Sequence, residues 1–136
     1  MITTRYTIAF LLTSLFCQAQ ITEPEETFDA NAPAFKFEKE IINYGKIKKD
    51  ADGKRSFVFT NTGNRPLIIE NVKGSCGCTV PTKPEAPIMP GETGTIKVKY
   101  ATNRVGRFSK TVTITSNASE PKKVVRIKGE VLAPKE

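Results

Sequence analysis

The sequence predicts an all-β, immunoglobulin-like fold, an antiparallel β-sandwich of about seven strands between residues 34 and 133. Three observations predict it. Apolar and polar residues alternate along several short segments, turn signals separate these segments, and none of them has the period of an amphipathic helix. A small barrel is the alternative arrangement of such strands. The sequence has no tryptophan and no widely spaced cysteine pair, which favours a PapD-like variant over an antibody-type domain.

The alternating segments run in order through FKFEKE, SFVFTN, TIKVKY, TVTITSN and KVVRIKGEVL. Each has one apolar and one polar face, as half-buried strands do. PLIIENV is apolar on both faces at its start, which predicts a central strand. The apolar members should point into one core between two sheets: Phe35, Phe37, Phe57, Phe59, Leu67, Ile69, Ile96, Val98, Tyr100, Val112, Ile114, Val125 and Ile127.

Glycine, proline and asparagine clusters mark the connections between these strands, in KKDADGK, TNTGNRP, PIMPGETG, ATNRVGR and SNASEPK. The segment from Asp50 to Gly53 resembles the start of a calcium loop. Lys54 and Arg55 follow where such a loop needs further oxygen ligands, so we interpret the segment as a hairpin turn.

Residues 1–19 have the features of a secretory signal peptide. Arg5 precedes an apolar run that ends at Phe16, and this run is too short to span a bilayer. We expect cleavage after Ala19 and export to the periplasm or the extracellular space, without integration into a membrane. Lipid anchoring through Cys17 is disfavoured, because Phe16 occupies a position that requires a small residue. Residues 20–33 are polar, acidic and proline-containing, which predicts a flexible leader before the domain.

The composition excludes several functions. The sequence contains 0 histidines, so it has no histidine general base, no Ser-His-Asp triad and no histidine-ligated zinc or copper site. No acidic pair or glycine-rich loop suggests catalysis, and we expect neither enzymatic activity nor a cofactor. The net charge is +7. Export, and the lack of an aromatic stacking motif, argue against nucleic acid as its partner. This charge suits either solubility or attraction to anionic envelope polymers or lipid headgroups.

Three short motifs carry a resemblance to a known family: FTNTG at residues 59–63, SCGCT at 75–79 and PGE at 90–92. From about Phe35 to Val131 the chain resembles the bacterial domain-of-unknown-function family 1573. That family is similar to immunoglobulin-like domains of the PapD and ciliary Hydin type. The resemblance implies an exported or envelope-associated protein of Gram-negative bacteria with this sandwich fold, and it implies no established activity.

Cys76 and Cys78 flank Gly77 and leave four interpretations open: metal ligands, packed thiols, a structural disulfide or a redox-active one. Two thiolates are too few for zinc, although they could hold Cu(I), with Met89 as a further soft ligand. Buried thiols would act as small hydrophobic groups. In an oxidising compartment a disulfide is favoured, and Gly77 would allow the necessary kink. A bridge this short removes much less chain entropy than a long-range one, which favours thiol exchange or the locking of one turn over global stabilisation.

The sequence therefore predicts an exported, non-catalytic immunoglobulin-like binding or structural module of the bacterial cell envelope. Its partner would be an unidentified envelope protein or polymer, contacted through the segment Cys76–Pro90 or the face that carries Lys97 and Lys99. The alternative function is a thiol-disulfide or Cu(I)-handling protein that uses Cys76 and Cys78.

Overall fold

A computed structural model describes residues 30–136 and confirms the predicted immunoglobulin-like sandwich of two β-sheets. The strands are β1 (Phe35–Phe37), β2 (Ile41–Lys48), β3 (Lys54–Asn61), β4 (Ile69–Gly74), β5 (Thr79–Thr82), β6 (Thr93–Tyr100), β7 (Gly106–Ser116) and β8 (Lys122–Leu132). Sheet A has the order β1-β3-β6-β5, and sheet B has the order β2-β8-β7-β4. Residues 30–136 include no helix that could cross a bilayer. The predicted signal peptide, and the leader up to residue 29, lie outside the described residues.

The count rises from about seven strands to eight partly because the first segment divides between the sheets. β1 pairs with β3 in sheet A, whereas β2 runs parallel to β8 in sheet B, so this one pair departs from the predicted antiparallel pattern. A register shift lies between Asn43 and Lys46, and Gly45 between them has a φ of 67°. This bulge interrupts the alternation of IINYGKIK, which explains why periodicity alone misses β2.

The predicted core is confirmed. All its members are buried except Phe35 and Phe37, which are partly buried and pack against the core. Their rings stack on each other with centroids 5.3 Å apart, and both contact the fully buried Phe59, at 5.2 and 5.5 Å. Burying each large apolar side chain contributes about 1.5–3 kcal/mol, so these faces supply the main driving force for folding. The alternating residues did not include Tyr44 and Phe108, which are also buried.

PLIIENV does not form the predicted central strand. β4 begins at Ile69 and lies at the edge of sheet B, where its only neighbour is β7. Leu67 is fully buried and pairs with Ile88 in an isolated bridge, whereas Ile68 is 46% exposed. The run is apolar on both sides because Ile68 is an exposed hydrophobic residue beside two buried ones.

Residues 30–33 were predicted to belong to the flexible leader, but they pack against the sandwich. Pro33 is buried, and its carbonyl oxygen accepts a hydrogen bond from the Ser119 amide at 2.9 Å. Gly63 approaches the Ala32 carbonyl oxygen and the Pro33 Cα so closely that a Cβ atom would overlap them. Contacts with the sandwich therefore begin at Ala32 and Pro33, just before the predicted boundary at 34.

Asn61 joins three loops at this end of the sandwich. Its side chain is fully buried, and its Oδ1 accepts a hydrogen bond from the Gly63 amide at 3.0 Å. Its Nδ2 donates to the carbonyl oxygens of Arg65 and Ile88, at 2.7 and 2.9 Å. The amide of Gly91, which has a φ of 80°, donates to the Asn61 carbonyl oxygen at 2.8 Å. The FTNTG and PGE motifs therefore meet here and have a structural role.

The DADG turn connects β2 in sheet B with β3 in sheet A, so it is not a hairpin within one sheet. Asp50 adopts the left-handed conformation, with a φ of 63°. Gly53 is required for a different reason: a Cβ atom there would overlap the Tyr100 carbonyl oxygen. No group of three or more His, Cys, Asp or Glu residues that could hold a metal occurs within residues 30–136.

Candidate functional site

Cys76 and Cys78 lie in the connection between β4 and β5 (residues 75–78, called the cysteine turn), where the chain passes from sheet B to sheet A. Ser75 continues the pairing of β4 with β7. Its amide donates a hydrogen bond to the Thr111 carbonyl oxygen at 2.9 Å, and the Thr111 amide donates to the Ser75 Oγ at 3.1 Å. The turn therefore starts from a fixed position on β7.

The other end of the cysteine turn is fixed on sheet A. The Ala101 amide donates to the Cys78 carbonyl oxygen at 2.9 Å, and the Thr79 amide donates to the Cys76 carbonyl oxygen at 3.2 Å. Backbone and serine hydrogen bonds thus define the turn at both ends without using either sulfur atom.

The two sulfur atoms are joined in a disulfide, with the Cα atoms 5.3 Å apart. In an extended strand this separation would be about 6.5–7 Å, at the far limit for a bridge. The turn shortens it. Cys78 is 6% exposed and belongs to the core, whereas Cys76 is only partly buried at its margin. The structure thus brings the two predicted residues together and leaves Cys76 more exposed to solvent than Cys78.

Gly77 does not need to be glycine for the reason the sequence suggested. Its φ is not in the left-handed region, and a Cβ atom there would meet no atom within 4 Å. Gly74, at the end of β4, is different, because a Cβ atom there would overlap the Thr79 carbonyl oxygen. The close approach between β4 and β5 therefore depends on Gly74, while Gly77 only leaves the outer side of the disulfide open.

Met89 does not join the cysteines. It follows Ile88, which pairs with Leu67 before β4 begins, whereas the cysteine turn comes after β4 ends. The length of a six-residue strand, about 20 Å, separates the two places. The proposed Cu(I) site loses its third soft ligand for this reason. The predicted contact segment Cys76–Pro90 accordingly extends from one end of the sandwich to the other.

Lys110 is a candidate site residue that the sequence reasoning missed. It has the same phase on β7 as the buried Phe108 and Val112, and its partner on β8 is the fully buried Ile127. Ser75 is hydrogen-bonded to Thr111, so Lys110 is the next residue of β7, at the level where the chain leaves β4 and enters the cysteine turn. The sequence did contain a signal for this residue: in FSKTVTI, Lys110 occupies one of the alternate positions that are otherwise apolar.

A second candidate is the outer face of sheet A, formed by Lys54, Ser56, Val80, Thr82, Lys97 and Lys99 (called the lysine face). These residues line a shallow depression of about 510 Å³. Lys54 and Lys99 are directly opposite each other on β3 and β6, and both are exposed. None of the three lysines forms an ion pair with a carboxylate of the described residues.

An aromatic cluster closes the sandwich at the end that carries the DADG turn. The rings of Tyr100 and Phe108 stack with centroids 3.8 Å apart, and Tyr44 packs edge-on against both. The Tyr44 hydroxyl donates to the Gly53 carbonyl oxygen at 2.7 Å, and the Arg55 guanidinium lies 4.3 Å from the Tyr44 ring centroid. Burial raises the pKa of Tyr44 to about 12, although Arg55 opposes the shift. These contacts indicate a structural cluster.

Known structures with a similar fold include a protein of unknown function from Porphyromonas gingivalis, 14% identical with a TM-score of 0.67, over 79% of this chain and 51% of that one. The PapD-like domain 7 of human CEP192 is 9% identical with a TM-score of 0.58, over 97% of this chain and 100% of the domain. The VesB protease of Vibrio cholerae is 14% identical with a TM-score of 0.57, over 77% of this chain and 33% of the protease.

These identities establish the shared fold alone. The chain spans about half the length of the Porphyromonas protein and a third of VesB. This sequence has 0 histidines and cannot itself form a Ser-His-Asp triad, so the likeness to VesB does not extend to such a catalytic triad. Comparison with curated proteins gives no significant match. The model of the family described as "Protein of unknown function (DUF1573)" matches residues 35–131, and the chain belongs to that family.

Proposed function

We propose that the protein is an exported, non-catalytic immunoglobulin-like binding module of the bacterial cell envelope, and that the lysine face contacts an acidic envelope protein or polymer. The pairing of Lys54 with Lys99 carries this proposal. Like charges directly opposite each other destabilise a sheet, and neither lysine has a carboxylate partner in the described residues to offset this cost. Such local costs are typical of functional surfaces, and an acidic partner would remove this one.

The edges of sheet A support binding through its face. Its edge strands are β1, with three residues, and β5, with four residues that include Pro81. Short strands and proline are features that protect an edge from pairing with another strand. The face between them has exposed lysines and the 57% exposed Val80, a mixture that suits a partner with both acidic and apolar groups.

Export rests on the predicted signal peptide at residues 1–19. Intact mass of the secreted protein tests it, because cleavage after Ala19 would leave Gln20 at the N-terminus. A diacylglyceryl group on Cys17 would instead show a lipid-anchored envelope protein.

The binding proposal is tested by capture from envelope extract with purified protein and two matched variants. Lys97→Glu/Lys99→Glu reverses two charges on the lysine face. Lys122→Glu/Lys128→Glu reverses two exposed charges on the outer face of sheet B, where each lysine is opposite an uncharged residue of β7. We expect the first variant to lose the captured component, the second to keep it, and soluble polyglutamate to compete with capture by the wild type. Equal capture by both variants would contradict the proposal.

A further inference from the structure

We infer that the cysteine turn is a thiol–disulfide exchange site in which Cys76 is the sulfur attacked and Cys78 the sulfur displaced. Its co-reactant is a dithiol of another protein. This activity goes beyond the binding role proposed above and does not depend on it. Copper chemistry is not included, because the disulfide would first have to be reduced and Met89 lies too far away.

The unequal burial of the two cysteine residues favours one direction of attack. A thiolate attacks a disulfide sulfur from the side opposite the sulfur that leaves, and access decides which one is attacked. Cys78 is 6% exposed and belongs to the core, whereas Cys76 is only partly buried at its margin. Gly77 is exposed and has no side chain to obstruct the approach. An incoming thiolate therefore reaches Cys76 first.

The exchange consumes one dithiol and transfers two electrons. A thiolate of the partner forms a bond to the Cys76 sulfur, the bond between Cys76 and Cys78 breaks, and its electron pair remains on Cys78 as a thiolate. The second partner thiol loses its proton and attacks the partner's own sulfur in the mixed disulfide, which releases Cys76 as a thiolate. The partner dithiol is now a disulfide, and its two protons are available to Cys76 and Cys78.

Thr79 is placed to stabilise the sulfur that leaves. Thr79 is buried, with 3% of the residue exposed, and its Oγ1 lies 3.9 Å from the Cys78 sulfur. A buried thiolate is unfavourable in apolar surroundings. The Thr79 hydroxyl can donate a hydrogen bond to it in the reduced protein, at a position where the core offers mainly apolar groups.

Lys110 gives the Cys76 side of the turn a positive potential. Lys110 directly precedes Thr111, the residue of β7 that binds Ser75 at the start of the cysteine turn, and it forms no ion pair with a carboxylate of the described residues. No acidic residue occurs between Thr93 and Ser119, a segment that also contains Arg104 and Arg107. A nearby cation attracts the incoming thiolate and stabilises Cys76 as a thiolate after release.

The fold should survive the reaction. Hydrogen bonds from Ser75, Thr79, Ala101 and Thr111 hold both ends of the turn and involve neither sulfur. Opening the disulfide would leave them intact, so the reduced domain should remain folded and ready for reoxidation.

The first test compares the two sulfurs in protein that begins at Gln20. The Cys78→Ser variant leaves Cys76 alone, and the Cys76→Ser variant leaves Cys78 alone. With oxidised glutathione as the probe, we expect the Cys76 thiol to form a mixed disulfide at least about tenfold faster, because the other thiol is buried. Intact mass follows the reaction, and circular dichroism confirms that both variants are folded. Equal rates, or a faster reaction of Cys78, would overturn the assignment.

The second test measures the rate at which dithiothreitol reduces the native disulfide, by alkylating samples at successive times. Lys110→Gln and Thr79→Val should each slow reduction about three- to tenfold, the effect of a thiol pKa changed by half a unit to one unit. Lys128→Gln, the same change on the outer face of sheet B, should leave the rate within about twofold of the wild type. A native disulfide that is reduced only when the protein unfolds would overturn the inference. So would equal rates for the Lys110 and Lys128 variants.

Discussion

Truncation of Phe59 and of Cys76 should have very different effects on stability, and their comparison separates a packed cysteine from a reactive one. Phe59 is fully buried, with 0% of its surface exposed to solvent. Its ring centroid lies 5.2 Å from that of Phe35 and 5.5 Å from that of Phe37. Phe59→Ala should cost about 3–5 kcal/mol, from lost transfer free energy and the cavity that remains. A domain of this kind has about 5–15 kcal/mol in total, so the variant should be close to unfolding.

Cys76→Ala should cost much less. The chain-entropy relation gives about 1.6 kcal/mol for a closed loop of about three residues, and Cys78 would still fill its place in the core. Urea unfolding measures both variants. The signal is far-ultraviolet circular dichroism, because the sequence contains 0 tryptophans. Reduced wild-type protein is the control and should match Cys76→Ala. A loss for Cys76→Ala that equals the loss for Phe59→Ala would make the cysteines core residues and refute the exchange site.

Three other changes test the structural reasoning. Asn61→Ala should lower the free energy of unfolding, measured in urea, by about 1–3 kcal/mol. The Gly63 amide and the Arg65 carbonyl oxygen would each lose a partly buried hydrogen bond, and the Ile88 carbonyl oxygen would keep only the bond from the Leu67 amide. A loss below about 0.5 kcal/mol would contradict this role. Gly74→Ala should lower the melting temperature clearly more than Gly77→Ala, because only Gly74 lies against another backbone group; equal shifts would be inconsistent with the turn described. Ionisation of Tyr44 should lower the free energy of unfolding as the pH rises from 10 to 12. The Tyr44 side chain has a pKa of about 10 in the unfolded chain and about 12 in the folded protein, so only the unfolded state loses this proton in that range. The stability that the protonated Tyr44 contributes is fully present below pH 10 and amounts to about 1–3 kcal/mol. The melting temperatures of wild type and Tyr44→Phe should therefore depend on pH differently only above pH 10. Parallel melting curves across this range would refute the argument.

The sequence was sufficient to predict the core, because alternation is a local property. Apolar residues such as Phe57, Ile96 and Ile114 occupy every second position of their strands, and each of these three is fully buried. The bulge at Gly45 hid β2, because it breaks the alternation on which that prediction depends. β5 was not predicted because it contains Pro81, and proline in a sequence usually indicates that a strand ends. Proline is tolerated here because β5 is an edge strand, which only the strand pairing shows.

The candidate site was harder to predict, because its parts come from distant segments. Cys76 and Cys78 were recognisable as neighbours in sequence, but their unequal burial follows from where the turn meets β7 and sheet A. Lys110 became relevant only when the register of β4 with β7 was known. Met89 was included because its thioether is a soft ligand, and the length of β4 separates it from the cysteines in space. Pairing between strands decides each of these points.

The three motifs that carry the family resemblance differ in what the fold requires of them. In FTNTG and PGE, Asn61 bonds three loops, Gly63 makes a contact that no side chain would permit, and Gly91 adopts a left-handed conformation. SCGCT has no comparable requirement at its centre. Gly77 could be replaced without steric conflict, and the turn is held by hydrogen bonds that do not use sulfur.

A structural explanation of the disulfide would have to rest on chain entropy or on packing. The bridge encloses too short a loop for a large entropic effect, and Cys76 is only partly buried, so its truncation would open little space in the core. What remains specific to the pair is its chemistry: one partly exposed cysteine, one buried cysteine whose sulfur lies near the Thr79 hydroxyl, and a lysine at an inward position of β7. Thiol exchange uses all of these features, whereas stabilisation of the fold requires none of them.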